Sequence, residues 1–301
     1  MQLPVVDVVI PHLNDRERLA ECLSHLERQT YPADCFRVLV VDNGSQQPID
    51  DVTARFPMAS CATEAEKGCG PARNKGVSLT NGDILAFTDS DCRPEPDWLL
   101  NAVNRLTHQP IDIVAGDIKV FAADEERPTD VELFDKVFGF EARRYAERKH
   151  FATGANIVVP RRVFEQVGPF RNGSLPEDLE WGRRAHAIGF RIGFAPDVVV
   201  RHPARRTWAE LKRKTERTSW HARNYMGEQR FFRLRWAAYT LGMASPPLWK
   251  VVQILTSSEL NGTGQRMRTI ATLLRIRSYR VAIMAGYLFE PVPVRAESEA
   301  S

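Results

Sequence analysis

Residues 5 to 45 read VVDVVIPHLNDRERLAECLSHLERQTYPADCFRVLVVDNGS, and the fold can be argued outward from them. Residues 5–10 are an apolar, β-branched run short enough to be a buried strand. Residues 15–29 place Leu19, Cys22, Leu23 and Leu26 at helical spacing, and residues 36–41 return to a strand. Two strands joined through a helix form a βαβ unit and therefore a parallel pair. Asp42, Asn43, Gly44 and Ser45 then end the second strand with turn formers.

The same alternation continues down the chain. Residues 70–79 read as a helix entered through glycines, 84–88 as a third strand, 154–159 as another, and 162–167 as a short helix stopped by Gly168 and Pro169. A helix over 176–189 and a strand over 191–200 follow. Strands alternating with helices imply a mainly parallel sheet, which binds ligands beyond the carboxyl ends of its strands. Polar residues stand at those ends: Asp42 after the second strand, and Asp89 with Asp91 in ILAFTDSDCRP, residues 84 to 94. If strand geometry persists past Thr88, Asp89 and Asp91 share one face and their repulsion needs solvent, a shared proton or a divalent cation. A turn former at one strand end needs no function, but polar ends on successive strands line a cleft.

Two further groups are ambiguous on their own. Gly68 to Gly76, GCGPARNKG, puts glycines and Arg73 at a helix entrance suited to phosphate, yet it matches neither the P-loop nor the dinucleotide spacing. Glu177, Asp178 and Glu180 crowd the first turn of a helix, where carboxylates are favourable as caps alone. His202 at a strand end reads by itself as an ordinary surface residue.

Composition limits the setting. The five cysteines all fall between 22 and 92 with no CxxC pair, which suggests neither a disulfide framework nor a zinc site and fits a reducing cytosol. The N-terminal apolar run is too brief for a signal peptide. Residues 1–200 carry 23 Lys and Arg against 31 Asp and Glu, whereas 203–301 carry 17 against 7, so the chain changes role near residue 205. The expected domains are 1–205 and a basic helical extension over 206–301.

Taken in order, VVIPHLNDRERLAECLSHLERQTYP, VLVVDNGS, KGCGPARNKGVSLTNGDILAFTDSDC, TGANIVVPRRVFEQVGPF and PEDLEWGRRAHAIGFRIGFAPDVVVRH resemble the inverting glycosyltransferases of family 2, which have the GT-A fold. The likeness runs from about residue 5 to about 202. It implies an α/β, Rossmann-like fold and a family 2 glycosyltransferase moving a sugar from a nucleotide diphosphate to a hydroxyl of a polysaccharide or lipid-linked acceptor. It also implies that Asp89, Ser90 and Asp91 are the DxD motif, with Asp89, Asp91 and His202 holding Mn²⁺ or Mg²⁺. Asp178 of the Glu177–Asp178 pair would be the catalytic base. Pro11, Asn14, Asp42, Asn43 and Arg73 would form the donor pocket, and Glu177, Trp181 and Asn156 would face the acceptor. His12 and Leu13 stand where Thr and Tyr are common, and Asn43 where Asp is, so UDP, dTDP and GDP donors all stay open. A sugar-nucleotide pyrophosphorylase has no use for a Glu177–Asp178 base, and a non-catalytic carbohydrate or membrane adaptor has no use for the combined DSD, ED and His202 set.

Beyond residue 202 only the physics speaks. Residues 208–235 interleave cations with aromatics but show no nucleic-acid motif, and the acidic first part argues against that partner. Residues 241–255 and 270–288 are apolar, yet prolines or arginines interrupt them, so neither spans a membrane. They can lie on the inner face of a plasma membrane as a peripheral contact, pack on the first domain or form a dimer. Residues 295–301 are expected to be disordered.

Overall fold

The computed structural model describes residues 3–173, 175–227 and 230–290; the tail 295–301 lies outside them. The chain divides into two compact units: Met1–Phe121 with Phe140–Pro203, and Ala122–Gly139 with Ala204–Ser301. The boundary near 205 is thus accompanied by a second piece, 122–139, that sequence alone assigns to the first part.

The first unit opens with β1 (Val6–His12), α1 (Arg16–Leu26), β2 (Phe36–Asp42), the single turn α2 (Asp50–Thr53), β3 (Ala59–Thr63), α3 (Cys69–Ser78) and β4 (Ile84–Phe87). β5 (Arg93–Pro94), α4 (Trp98–His108) and β6 (Ile113–Phe121) follow, and α5 (Asp130–Phe138) belongs to the second unit. The first unit then resumes with α6 (Ala142–Lys149), β7 (Ile157–Pro160), α7 (Arg161–Val167), α8 (Glu177–Ala187) and β8 (Ile192–Pro203). All eight strands join one sheet in the order β3-β2-β1-β4-β7-β6-β8-β5. β3, β2, β1 and β4 are parallel, as the βαβ reading requires, and so are β6 and β8. β7 runs antiparallel to both β4 and β6, and β5 antiparallel to β8, so the sheet is mixed.

Both faces of the sheet are covered, which explains why the strands read as continuous apolar runs rather than alternations. Val6, Val8 and Ile10 of β1 pack with Leu19 and Leu23 of α1 and Leu99 of α4. Val9 faces the other way, joining Leu85, Phe87, Ile157 and Trp181.

The pairing of β6 with β8 slips between Gly116 and Asp117, where the partner jumps from Ala195 to Val199. Such a slip leaves buried carbonyls without ladder partners. Asn156 repairs it: its Nδ2 donates to the carbonyls of Asp117 (2.8 Å) and Val198 (2.9 Å), while its Oδ1 accepts from the Trp98 indole at 2.9 Å. A Cβ at Gly116 would sit 2.2 Å from this amide, so only glycine lets the side chain through.

The second unit gathers α5, α9 (Trp208–Gly227), α10 (Phe232–Ala244), α11 (Leu248–Thr256) and α12 (Gly262–Gly286). Apolar clusters join Leu133, Val137, Ile254 and Leu273, and separately Phe232, Trp236 and Met284. α5 starts with a capping box between Thr129 and Glu132. It also answers part of the basic tail's charge: Asp135 accepts from Arg205 at 2.8 Å, and Asp130 pairs with Arg268 at 2.5 Å. Lys214 lies 3.6 Å from Asp135; burial pulls its ammonium down to about 8 although Asp135 works against the drop. Among the described residues no helix is long and apolar enough to cross a membrane.

Candidate active site

β4 ends at Phe87, one residue before Thr88, so Asp89 and Asp91 do not share a strand face. They meet through a tight turn instead, in which the Cys92 amide donates to the Asp89 carbonyl at 3.1 Å. The end of β8 brings His202 to the same point. One ligand atom from each of Asp89, Asp91, Cys92 and His202 falls within 4.8 Å of the others. His202 Nδ1 lies 2.8 Å from the Pro203 carbonyl, to which it can only donate, and its Nε2 faces Asp91 at 3.7 Å. Burial pushes the Asp91 carboxyl up, and nearby Asp89 adds to the rise while His202 opposes it. Burial pushes the Cys92 thiol well up as well, keeping it neutral and unsuited to a hard cation. Two carboxylates and an imidazole remain, a donor set that fits Mn²⁺ or Mg²⁺. Ser90 occupies the turn between the two aspartates.

Arg73, at the start of α3, ties this turn to α8. Its Nη2 donates to Asp89 Oδ1 and its Nη1 to Glu177 Oε1, both at 2.8 Å. It is 2% exposed; burial weighs against its charge, but Asp89, Cys69, Glu177 and Asp178 outweigh it and raise its pKa. The guanidinium expected to face a phosphate is thus held between carboxylates. Gly154 gives it room: a Cβ there would stand 2.5 Å from Nη2.

The first turn of α8 gets one of its free amides satisfied by a carboxylate, that of Asp178. Pro176 is the N-cap and makes no side-chain capping bond. Asp178 is oriented by two backbone amides, Gly154 to Oδ2 at 3.0 Å and Leu179 to Oδ1 at 2.7 Å. Burial and then the Glu177 charge raise its pKa to about 6, while the Gly154 amide and Arg73 hold it from going higher.

The other expected donor residues serve as clasps between loops. Asn14, in the left-handed region at φ 54°, accepts from the Gln46 amide at 2.8 Å and donates its own amide to Ser45 Oγ. Asp42 accepts from the Ser45 amide at 3.2 Å. Asn43 donates to the carbonyls of Glu64 and Glu66 and accepts from the Gly68 amide at 2.7 Å, which engages its whole side chain. Pro11 is buried in β1 beside Val41. Asn14 and Asn43 tie together the loops that follow β1, β2 and β3.

Two residues expected to face the acceptor do not. Asn156 is 1% exposed and repairs the β6–β8 slip; Trp181, also 1% exposed, donates its indole N–H to the Gly168 carbonyl and stacks on Phe164. Burial with every polar atom occupied leaves neither a surface to offer. Conversely, the Arg73–Glu177 link and the Gly154 amide on Asp178 had no signal in the sequence, because they join residues far apart in the chain. Tyr145 was also missed: it stacks on Phe151 at 4.9 Å, and burial, with lesser pushes from Glu141 and Asp178, raises its phenol to about 12.

Comparison with known proteins finds relatives over most of the chain. The model of glycosyl transferase family 2 matches residues 7–168. Glycosyltransferase AglE of Haloferax volcanii is 34% identical over 218 residues, covering 70% of this chain and 71% of AglE. The probable glycosyltransferase YdaM of Bacillus subtilis is 26% identical over 233 residues, 73% of this chain and 55% of YdaM. Among solved structures, the mannosyltransferase PcManGT from Pyrobaculum calidifontis, in complex with GDP-Man and Mn²⁺, superposes with a TM-score of 0.63 at 20% identity, covering 96% of this chain and 89% of that one.

Proposed function

Because the chain belongs to glycosyl transferase family 2 and is a glycosyltransferase of GT-A fold, we propose that it transfers a sugar from a nucleotide-diphosphate donor to a hydroxyl acceptor with inversion, Asp178 being the base. The observation that carries the reading is the pairing of an amide-oriented Asp178, its pKa raised to about 6, with the Asp89–Asp91–His202 cluster, the two connected by Arg73. A carboxylate with a pKa just below neutrality is ionised when the acceptor arrives yet basic enough to accept its proton as the C–O bond forms. The Gly154 and Leu179 amides hold the carboxylate in one orientation, which is the preorganisation such a step requires. Asp89, Asp91 and His202 would hold the divalent cation, which supplies electrostatic stabilisation to the departing diphosphate. Arg73 acts through Asp89 and Glu177 and is a positioning residue on this reading.

A guanosine diphosphate donor is favoured by the likeness to PcManGT, whose structure contains GDP-Man and Mn²⁺. The acceptor is a glycan or lipid-linked hydroxyl, and the first unit carries the chemistry. Calorimetry with UDP, GDP and dTDP, with and without Mn²⁺, tests the donor side: one nucleotide is expected to bind only with metal and to lose that binding in Asp91→Ala. Asp178→Asn should keep nucleotide binding and lower turnover by roughly 10²–10⁴. A folded protein that binds none of the three nucleotides, or an Asp178→Asn variant with full turnover, overturns the proposal. Release of pyrophosphate instead of nucleoside diphosphate does so too.

A further inference from the structure

α10 and α11 of the second unit leave apolar faces in water. α10 buries Phe232, Trp236 and Thr240 but exposes Leu234 and Leu241, each by 73%. α11 buries Ile254 and exposes Leu248 by 73%, Trp249 by 78%, and Val252 and Leu255 by about half. Single exposed leucines are ordinary on a protein surface; six large apolar side chains exposed on two consecutive helices are more than that and ask for a partner. No charged residue lies between Arg235 and Lys250, and Ser245, Pro246 and Pro247 make the corner between the helices.

The surrounding charge identifies the partner. Residues 230–289 hold nine Lys and Arg and one acidic residue, Glu259. Arg230, Arg233 and Arg235, at the entrance to α10, are all exposed. The cations that pair with Asp130 and Asp135 are Arg268, Arg205 and Lys214, so the α10 arginines are outside that internal cluster. A second copy of this chain docking on the same face would bring like charges together. A nucleic acid would match the charge but gains nothing from Leu248, Val252 and Leu255, whereas an anionic bilayer matches both the charge and the apolar side chains.

We propose that the second unit binds an anionic membrane surface through α10 and α11. Leu241, Leu248, Trp249, Val252 and Leu255 enter the boundary between headgroups and acyl chains, and Arg230, Arg233 and Arg235 lie among the headgroups. The contact is peripheral. The argument uses the second unit alone and is independent of the donor, metal and base assigned above.

Co-sedimentation of the full chain with phosphatidylcholine vesicles, with and without phosphatidylglycerol, tests it. Binding is expected to vesicles containing phosphatidylglycerol, to weaken as salt is raised, and to be poor with phosphatidylcholine alone. The triple variant R230Q/R233Q/R235Q should lower the partition coefficient on the order of 10²-fold, since each interfacial cation contributes about fivefold. Trp249→Ser with Leu248→Ser should lose binding at low salt while circular dichroism and melting stay those of the parent. A folded parent that ignores anionic vesicles, or binding unchanged in both variants, overturns the proposal. So does a concentration-dependent dimer that buries Trp249 and leaves no vesicle binding.

Discussion

Asp178 sits where two demands oppose each other: burial and Glu177 raise its pKa, while the Gly154 amide and Arg73 lower it. On the proposal that Asp178 is the base, this value of about 6 sets the acid limb of the pH profile. Below that value the carboxyl holds a proton and cannot take another, so kcat should fall about tenfold per pH unit, and above it the rate should level. Arg73→Gln removes a charge that favours the ionised form, so its acid limb should move to higher pH; an unmoved limb would show that Arg73 has no hold on the base. That the candidate residues Asp89, Asp91, Glu177, Asp178 and His202 fall in ordered motifs was legible in the sequence. Their mutual arrangement was not. Arg73 meets Glu177 across 104 positions, and no local pattern announces a contact at that separation.

At the level of elements, the alternating pattern gave β1, α1, β2, α3, β4, β7, α7, α8 and β8 to within about three residues at each end, but not α2, β3, β5, α4, β6 or α6. β7 and β5 depart in direction, since helix and strand periodicity says nothing about which way a strand points. The slip between β6 and β8 was equally hidden, and with it the work of Asn156. Asn156→Ala leaves the Trp98 indole and the Asp117 and Val198 carbonyls without these partners. At roughly 1–3 kcal/mol for each buried group left unsatisfied, it should destabilise the first unit by about 3 kcal/mol or more and lower its melting temperature. The opposite pattern, an unchanged melting temperature with a weakened acceptor KM, would return Asn156 to the wall of the acceptor site.

For the whole molecule, the change in charge near residue 205 falls close to Ala204, where the longer piece of the second unit begins, and composition gives no sign of that unit's shorter piece. Residues 122–139 join the unit because α5 carries both an apolar face, Val131, Leu133 and Val137, and the acids that answer Arg205, Lys214 and Arg268. Partnerships of that kind depend on folding, so composition along the chain cannot reveal them. Ligand linkage gives a prediction at this scale: Mn²⁺ with its cognate nucleoside diphosphate at about a hundred times Kd should stabilise the chain by roughly 2.7 kcal/mol, read as a rise in melting temperature and erased by EDTA. The bridge made by Arg73 also bears on how such enzymes can be recombined. A chimaera joined between β4 and α8 inherits the arginine and Asp89 from one parent and Glu177 from the other. Grafting a foreign acceptor half therefore succeeds only when it brings a carboxylate to position 177, since without one a buried guanidinium loses half of its counter-charge.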